Sequence, residues 1–200
     1  MGIVNKLFIK DVARLTYTEL AKVLNRIIDQ INTVTWDDLR APATGINPLG
    51  SPSAATPNAT DGSLTFSKGN VCIAWFQLPH KYKEGSDIHI HIHWSKTTSA
   101  AGTVHWQIKY KWANIGDVMP AFSSLADLTD EIGDENTADL HALSEMAAVS
   151  GVGKTISSMV CVYLSRTNDG GDTYAGDVNL YEVDIHYQAD TLGSVEEYSK

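Results

Sequence analysis

Five stretches in the last two-thirds of this chain repeat in steps of two. That period belongs to β-strands and is incompatible with a helical face. In residues 87–94, DIHIHIHW, Ile88, Ile90, Ile92 and Trp94 share one face, and His89, His91 and His93 share the other. In residues 103–112, TVHWQIKYKW, Val104, Trp106, Ile108, Tyr110 and Trp112 oppose His105, Gln107, Lys109 and Lys111. Residues 178–188, VNLYEVDIHYQ, set Tyr181, Val183, Ile185 and Tyr187 against Glu182, Asp184 and His186. Residues 70–79 and 154–165 are apolar on both faces, the pattern of strands covered on two sides. Gly- and Asp-rich loops separate these runs and no helices alternate with them. The expected fold is therefore mainly β, an antiparallel β-sandwich or jelly roll of eight or so strands.

The N-terminal part has a different period. Residues 16–35 read TYTELAKVLNRIIDQINTVT, in which Thr16 and Glu19 make a T-x-x-E capping box at a helix start. Leu20, Leu24, Ile27, Ile31 and Val34 then recur in alternating steps of four and three, the spacing of a coiled-coil seam. A helix this short must pack on something to persist in water. The stripe fits a short coiled coil, trimeric by its width, and equally a helix docked on its own domain. The segment that follows, APATGINPLGSPSAATPNATDGS, holds four of the six prolines and is otherwise rich in Gly, Ala, Ser and Thr. It reads as an extended linker. The expected organisation is a helical attachment or trimerisation segment over 1–40, a linker over 41–62 and a β domain over 63–200.

Charge narrows the partners. With 24 acidic against 15 basic residues the net charge is −9, and the Lys and Arg residues are scattered. Nucleic acid binding needs clustered cations, so it is not expected. No apolar run approaches the ~18 residues of a membrane span, and no signal-peptide pattern is expected at the N-terminus. Cys72 and Cys161 each sit inside an apolar run and read as buried thiols.

The histidine row is the one pattern with metal chemistry in it. Imidazoles at i, i+2 and i+4 of a strand stand on one face, and H-x-H on a strand ligates zinc or iron. If residues 96–102, KTTSAAG, close a hairpin, His93 lies across from His105. His89, His91, His93 and His105 are then the candidate ligands, and His186 shares its strand face with Asp184, so a His/His/His/Asp constellation stays open. Two features oppose this. Cupin-type sites follow H-x-H with a glutamate, whereas Trp94 to Thr98 follow here and the next glutamate is Glu131. Lys109 and Lys111 would also share the polar face of the neighbouring strand. A polar sheet face or a subunit contact is the plainer reading; a metal within one chain, or shared around a threefold axis, stays open. Elsewhere, SGVGKT lacks the first glycine of a phosphate loop and leads into a strand rather than a helix. The acidic loops lack EF-hand spacing, and no G-x-S-x-G elbow occurs. No enzyme activity and no cofactor is expected beyond that metal. Rows of aromatic residues on a β face can stack on sugars, so glycan binding stays open.

Several longer stretches carry a resemblance. LAKVLNRIIDQINTVTWDDLRAP, GINPLGSP, FQLPHKYKEGSDIHIHIHW and DVNLYEVDIHYQADTLGS follow in that order and cover most of the chain. Together they resemble small virion proteins of tailed bacteriophages. The resemblance implies a structural part of a phage particle with no catalytic residues: a homotrimeric capsid decoration, head fibre or tail fibre that contacts other virion proteins. Two alternatives accompany it, a receptor- or glycan-binding adhesin at a fibre tip and a cupin-like metal-binding β protein.

Overall fold

A computed structural model describes residues 16–31, 33–48, 53–124, 128–130 and 137–200, leaving aside the side chains of 30, 31 and 128–130. The chain runs through helix α1 (Tyr17–Ile31), β1 (Thr35–Pro42), a 3-10 turn (Ala43–Gly45), β2 (Asn47–Pro48), β3 (Thr56–Pro57), β4 (Leu64–Phe66) and β5 (Val71–Gln77). It continues through β6 (Ile88–Lys96), β7 (Val104–Ala113), β8 (Ser123–Ser124), β9 (Leu128–Asp130), β10 (Ala142–Glu145), β11 (Met159–Arg166) and β12 (Val178–Ala189). These strands form two six-stranded antiparallel sheets. In the first, the order is β10-β6-β12, and the far edge of β12 is shared by β1 and by β4 with β3. In the second, the order is β2-β5-β11-β7, with β8 and β9 along the far edge of β7.

The period-two pattern explains the sandwich. Ile88, Ile90, Ile92 and Trp94 of β6 point inward and are fully buried, as are Val104, Trp106 and Ile108 of β7. Burying one such side chain contributes roughly 1.5–3 kcal/mol. Trp94 and Trp106 meet edge to face across the core, with centroids 5.8 Å apart. The Trp94 indole N–H donates to Ser144 Oγ at 2.7 Å, so the ring is buried without losing its hydrogen bond.

That contact corrects one expectation. β6 and β7 are consecutive in sequence but lie in opposite sheets, so residues 97–103 cross between layers and close no hairpin. The expected facing of His93 and His105 does not occur.

The linker is the second correction. β1 pairs with β12 over its whole length, from Thr35 against Ala189 to Pro42 against Glu182. Ala43, Ile46 and Ala55 are buried in the common core. Pro42, Pro48 and Pro57 sit where a missing N–H costs nothing: at the end of β1 and in the two-residue edge strands β2 and β3. A boundary at residue 40 would cut β1, and residues 47–48 and 56–57 of the supposed linker are edge strands of the sandwich.

At the helix start the capping box forms: the Thr16 N–H donates to Glu19 Oε2 at 2.8 Å and the Glu19 N–H to Thr16 Oγ1 at 3.3 Å. Leu24, Ile27 and Ile28 are 49%, 45% and 51% exposed, so the apolar stripe is not docked on the sandwich. Val34 is also exposed and Leu20 is half-buried, while the Ile31 side chain lies outside the described residues.

Candidate functional site

The outward face of the first sheet collects most of the chemistry. β6 contributes His89, His91 and His93, and β12 contributes Glu182, Asp184 and His186. β1 adds Trp36, Asp38 and Arg40; β10 adds Glu145, with His141 just before it. Register sets the neighbours: His93 stands beside Glu182, His91 beside Asp184, and His89 beside His186. On the other side of β12, His186 stands beside Asp38 and Asp184 beside Arg40. A bulge between Leu180 and Glu182 shifts the register. It keeps Leu180 and Val183 buried while Tyr181 and Glu182 both face outward, which places an extra aromatic residue beside the row. Tyr181 was expected to share the inward face with Val183; the bulge puts it on the other side.

The polar groups of this face are largely paired. Arg40 donates two parallel bonds to Glu182, at 2.6 and 2.7 Å. His89 Nδ1 meets Glu145 Oε1 at 2.9 Å, and His93 Nδ1 meets His141 Nε2 at 2.8 Å with the two rings stacked. Asp184 lies between two imidazoles, with His91 Nδ1 3.3 Å from Oδ1 and His93 Nε2 3.4 Å from Oδ2. The Asp184 carboxylate raises the pKa of His91 against the opposing effect of burial. Trp36, half-exposed, stands edge-on to His186 at 4.8 Å and to His89 at 5.6 Å.

Three cavities follow one another along this face. The first, about 490 Å³, is lined by Trp36, His89, Gln188 and the turn from Lys83 to Asp87. The second, about 340 Å³, shares Trp36 and His89 and adds His91, Glu145 and His186. The third, about 380 Å³, lies between Arg40, His93, His141, Tyr181 and Glu182.

Of the expected ligands, His89, His91 and His93 share this face and His105 does not. His105 belongs to the second sheet, where its Nδ1 meets Asp169 Oδ1 at 2.8 Å. Lys109 and Lys111 lie on the second sheet too, so the electrostatic objection to a cation beside the histidines falls away. The missing carboxylates come from β12 and β10 rather than from the residues after His93. Trp36, Arg40, His141 and Glu145 escaped the sequence reading. WDDLRAP does alternate, with Leu39 and Ala41 packed on the core and Trp36, Asp38 and Arg40 outward, but helix and proline signals on either side obscured it.

Other motifs resolve as structure. In SGVGKT, Lys154 Nζ donates to the Trp112 carbonyl, and a Cβ on Gly151 would collide with the Ser86 backbone carbonyl. In the loop NDGGDTYAGD, Asp172 is committed to the buried Arg166 and Asp169 to His105. Cys72 and Cys161 are free and buried, and burial pushes both thiols up. The outward face of the second sheet carries a separate aromatic patch: half-exposed Trp75, then Phe122 and Tyr163, with Lys111 above Trp75 and Phe122 and Lys109 above Tyr163. Among the described residues no helix is long and apolar enough to cross a membrane.

No protein-family model and no curated protein sequence matches the chain. Solved structures with a similar β-sandwich include the CBM36-1 domain of a multidomain xylanase from the hindgut metagenome of Trinervitermes trinervoides. It has 9% identity and a TM-score of 0.44, over 74% of this chain and 96% of that one. The CBM22-1 xylan-binding domain from Paenibacillus barcinonensis Xyn10C has 14% identity and a TM-score of 0.42, over 78% and 96%. The xylan-binding module CBM15 has 17% identity and a TM-score of 0.40, over 78% and 97%. At these identities no binding residue is carried over to this chain.

Proposed function

We propose that this chain is a non-catalytic binding module that holds a glycan along the outward face of its first sheet. The observation that carries the reading is Trp36, half-exposed at the lip of two joined cavities whose other walls are hydrogen-bonding side chains. A sugar offers an apolar C–H face and a rim of hydroxyls. An indole receives the first, and the imidazoles, Glu145 and Gln188 receive the second. The cavities follow one another along the sheet, which suits successive units of a chain better than one small molecule. Binding without turnover is supported by the buried thiols and by carboxylates already held by Arg40 or by imidazoles. The test is affinity electrophoresis of the full chain against a panel of purified bacterial surface polysaccharides. Retardation by at least one member supports the reading, and no retardation by any of them opposes it.

A second reading concerns where the module works. The exposed stripe of Leu24, Ile27 and Ile28 favours self-association through α1. With the resemblance to phage virion proteins, it supports a homotrimeric part of a particle, with the helix as the assembly element and the sandwich as the presented surface. On that reading the module is an adhesin or a decoration of the virion. Its native mass is the direct test: three chains per particle support it and a stable monomer opposes it.

A further inference from the structure

Asp184 is the most buried carboxylate on the histidine face. It is 5% exposed, and its Oδ1 is buried without a hydrogen bond among the described residues. Leaving a buried carboxylate oxygen unbonded is costly. The two imidazoles beside it stand at 3.3 and 3.4 Å. Two other histidine–carboxylate pairs close to 2.9 Å at Glu145 and 2.8 Å at Asp169, within the range of an ordinary hydrogen bond, while the more exposed His186 stands 3.8 Å from Asp38. The wider spacing has a chemical meaning. Two ligands each ~2.1 Å from a tetrahedral ion stand about 3.4 Å apart.

We infer that His93, Asp184 and Glu182 form a site for a first-row divalent transition metal. One donor atom from each lies within 4.8 Å of the others, so the widest pair closes by up to about 1.4 Å, within the reach of a Glu182 side-chain rotation, to reach tetrahedral spacing. His93 is already oriented for the task. His141 holds its Nδ1 at 2.8 Å and leaves Nε2 directed at Asp184, as outer partners of metal-binding histidines do. Glu182 has two oxygens. Coordination through one leaves the other for Arg40, whose side chain is 70% exposed and free to follow. The ligand oxygen of Asp184 is the Oδ2 that faces His93; the unbonded Oδ1 lies on the other side, 3.3 Å from His91 Nδ1. An imidazole with two carboxylates suits zinc, cobalt or manganese, whereas calcium is held by oxygen ligands. The site borders the third cavity of the proposed glycan face, but Trp36 takes no part in the ligand set, so metal uptake and polysaccharide retardation are read separately.

The experiment uses the full chain, stripped with chelator and titrated near neutral pH with zinc by calorimetry and with cobalt by visible absorption. The expected result is one ion per chain and a cobalt d–d band. Asp184→Asn and His93→Gln each remove stoichiometric binding, and His141→Gln weakens it roughly tenfold. His105→Gln leaves it unchanged. His93 is partly exposed, so His93→Gln keeps the test decisive if Asp184→Asn fails to fold. Substoichiometric uptake by the parent chain, or uptake that survives both ligand substitutions, overturns the inference.

Discussion

Single residues decide how tightly the two sheets are tied. Arg166 and Asp172 are both fully buried and form a two-bond pair at 2.7 and 2.9 Å. The guanidinium also donates to the carbonyls of Phe66, Tyr174 and Gly176, so it satisfies backbone groups of the loop before β12 and of β4 in the opposite sheet. A buried pair adds little over an apolar pair of the same volume, but removing one partner strands the other charge. Asp172→Asn should therefore lower the unfolding free energy by about 3–5 kcal/mol, read from the denaturant midpoint. The pair was invisible in the sequence, where Asp172 was one acid among several in a Gly-rich loop. Only the return of that loop onto β11 gives it a partner. The histidines were legible as a row because the strand period alone aligns them. Asp184 was legible as a candidate beside His186, but Glu182, Glu145 and the pairing of His91 with Asp184 were not, because they depend on a register between distant strands that no local pattern states.

At the scale of elements, β1 and α1 carry the chain's N-terminal third in different ways. β1 is anchored by Asp37, which accepts bonds from Lys81 and from the Tyr187 hydroxyl. The Lys81 ammonium beside it holds the Asp37 carboxyl below its ordinary value of 3.8. A depressed carboxylate contributes stability that is fully present above its unfolded pKa and is lost as pH falls through the lower folded one. Acid unfolding monitored by fluorescence should thus lose this contribution below pH 3.8 in the parent, and Asp37→Asn should flatten that part of the curve. If the two curves are parallel, the clasp is energetically silent. The helix is the opposite case: its stripe faces solvent. Leu24→Ser with Ile27→Ser should reduce the native mass to that of one chain while the β signal in circular dichroism is retained. An unchanged mass would place assembly elsewhere. The capping box and the period of α1 were plain in the sequence. β1 was not, because proline-rich edge strands and linkers share a composition and differ only in whether another strand lies alongside.

Across the whole molecule, alternation alone specified an antiparallel sandwich with Trp94 and Trp106 in its core. Which strand joins which sheet was beyond it. A seven-residue connection such as 97–103 can turn back beside its own strand or step across the layer, and its composition suits either. Stepping across separates His105 from the histidine row, moves Lys109 and Lys111 to the far surface and leaves two outward aromatic sites on opposite faces, Trp36 and Trp75. The central claim is that the first of these faces binds and the second does not. The most direct measurement is calorimetric titration of the polysaccharide that retards the chain into the parent, Trp36→Ala and Trp75→Ala. Stacking on one aromatic ring contributes on the order of 1–3 kcal/mol, so Trp36→Ala should weaken binding roughly tenfold or more, with Trp75→Ala within about twofold of the parent. Loss with Trp75→Ala and retention with Trp36→Ala would contradict the account.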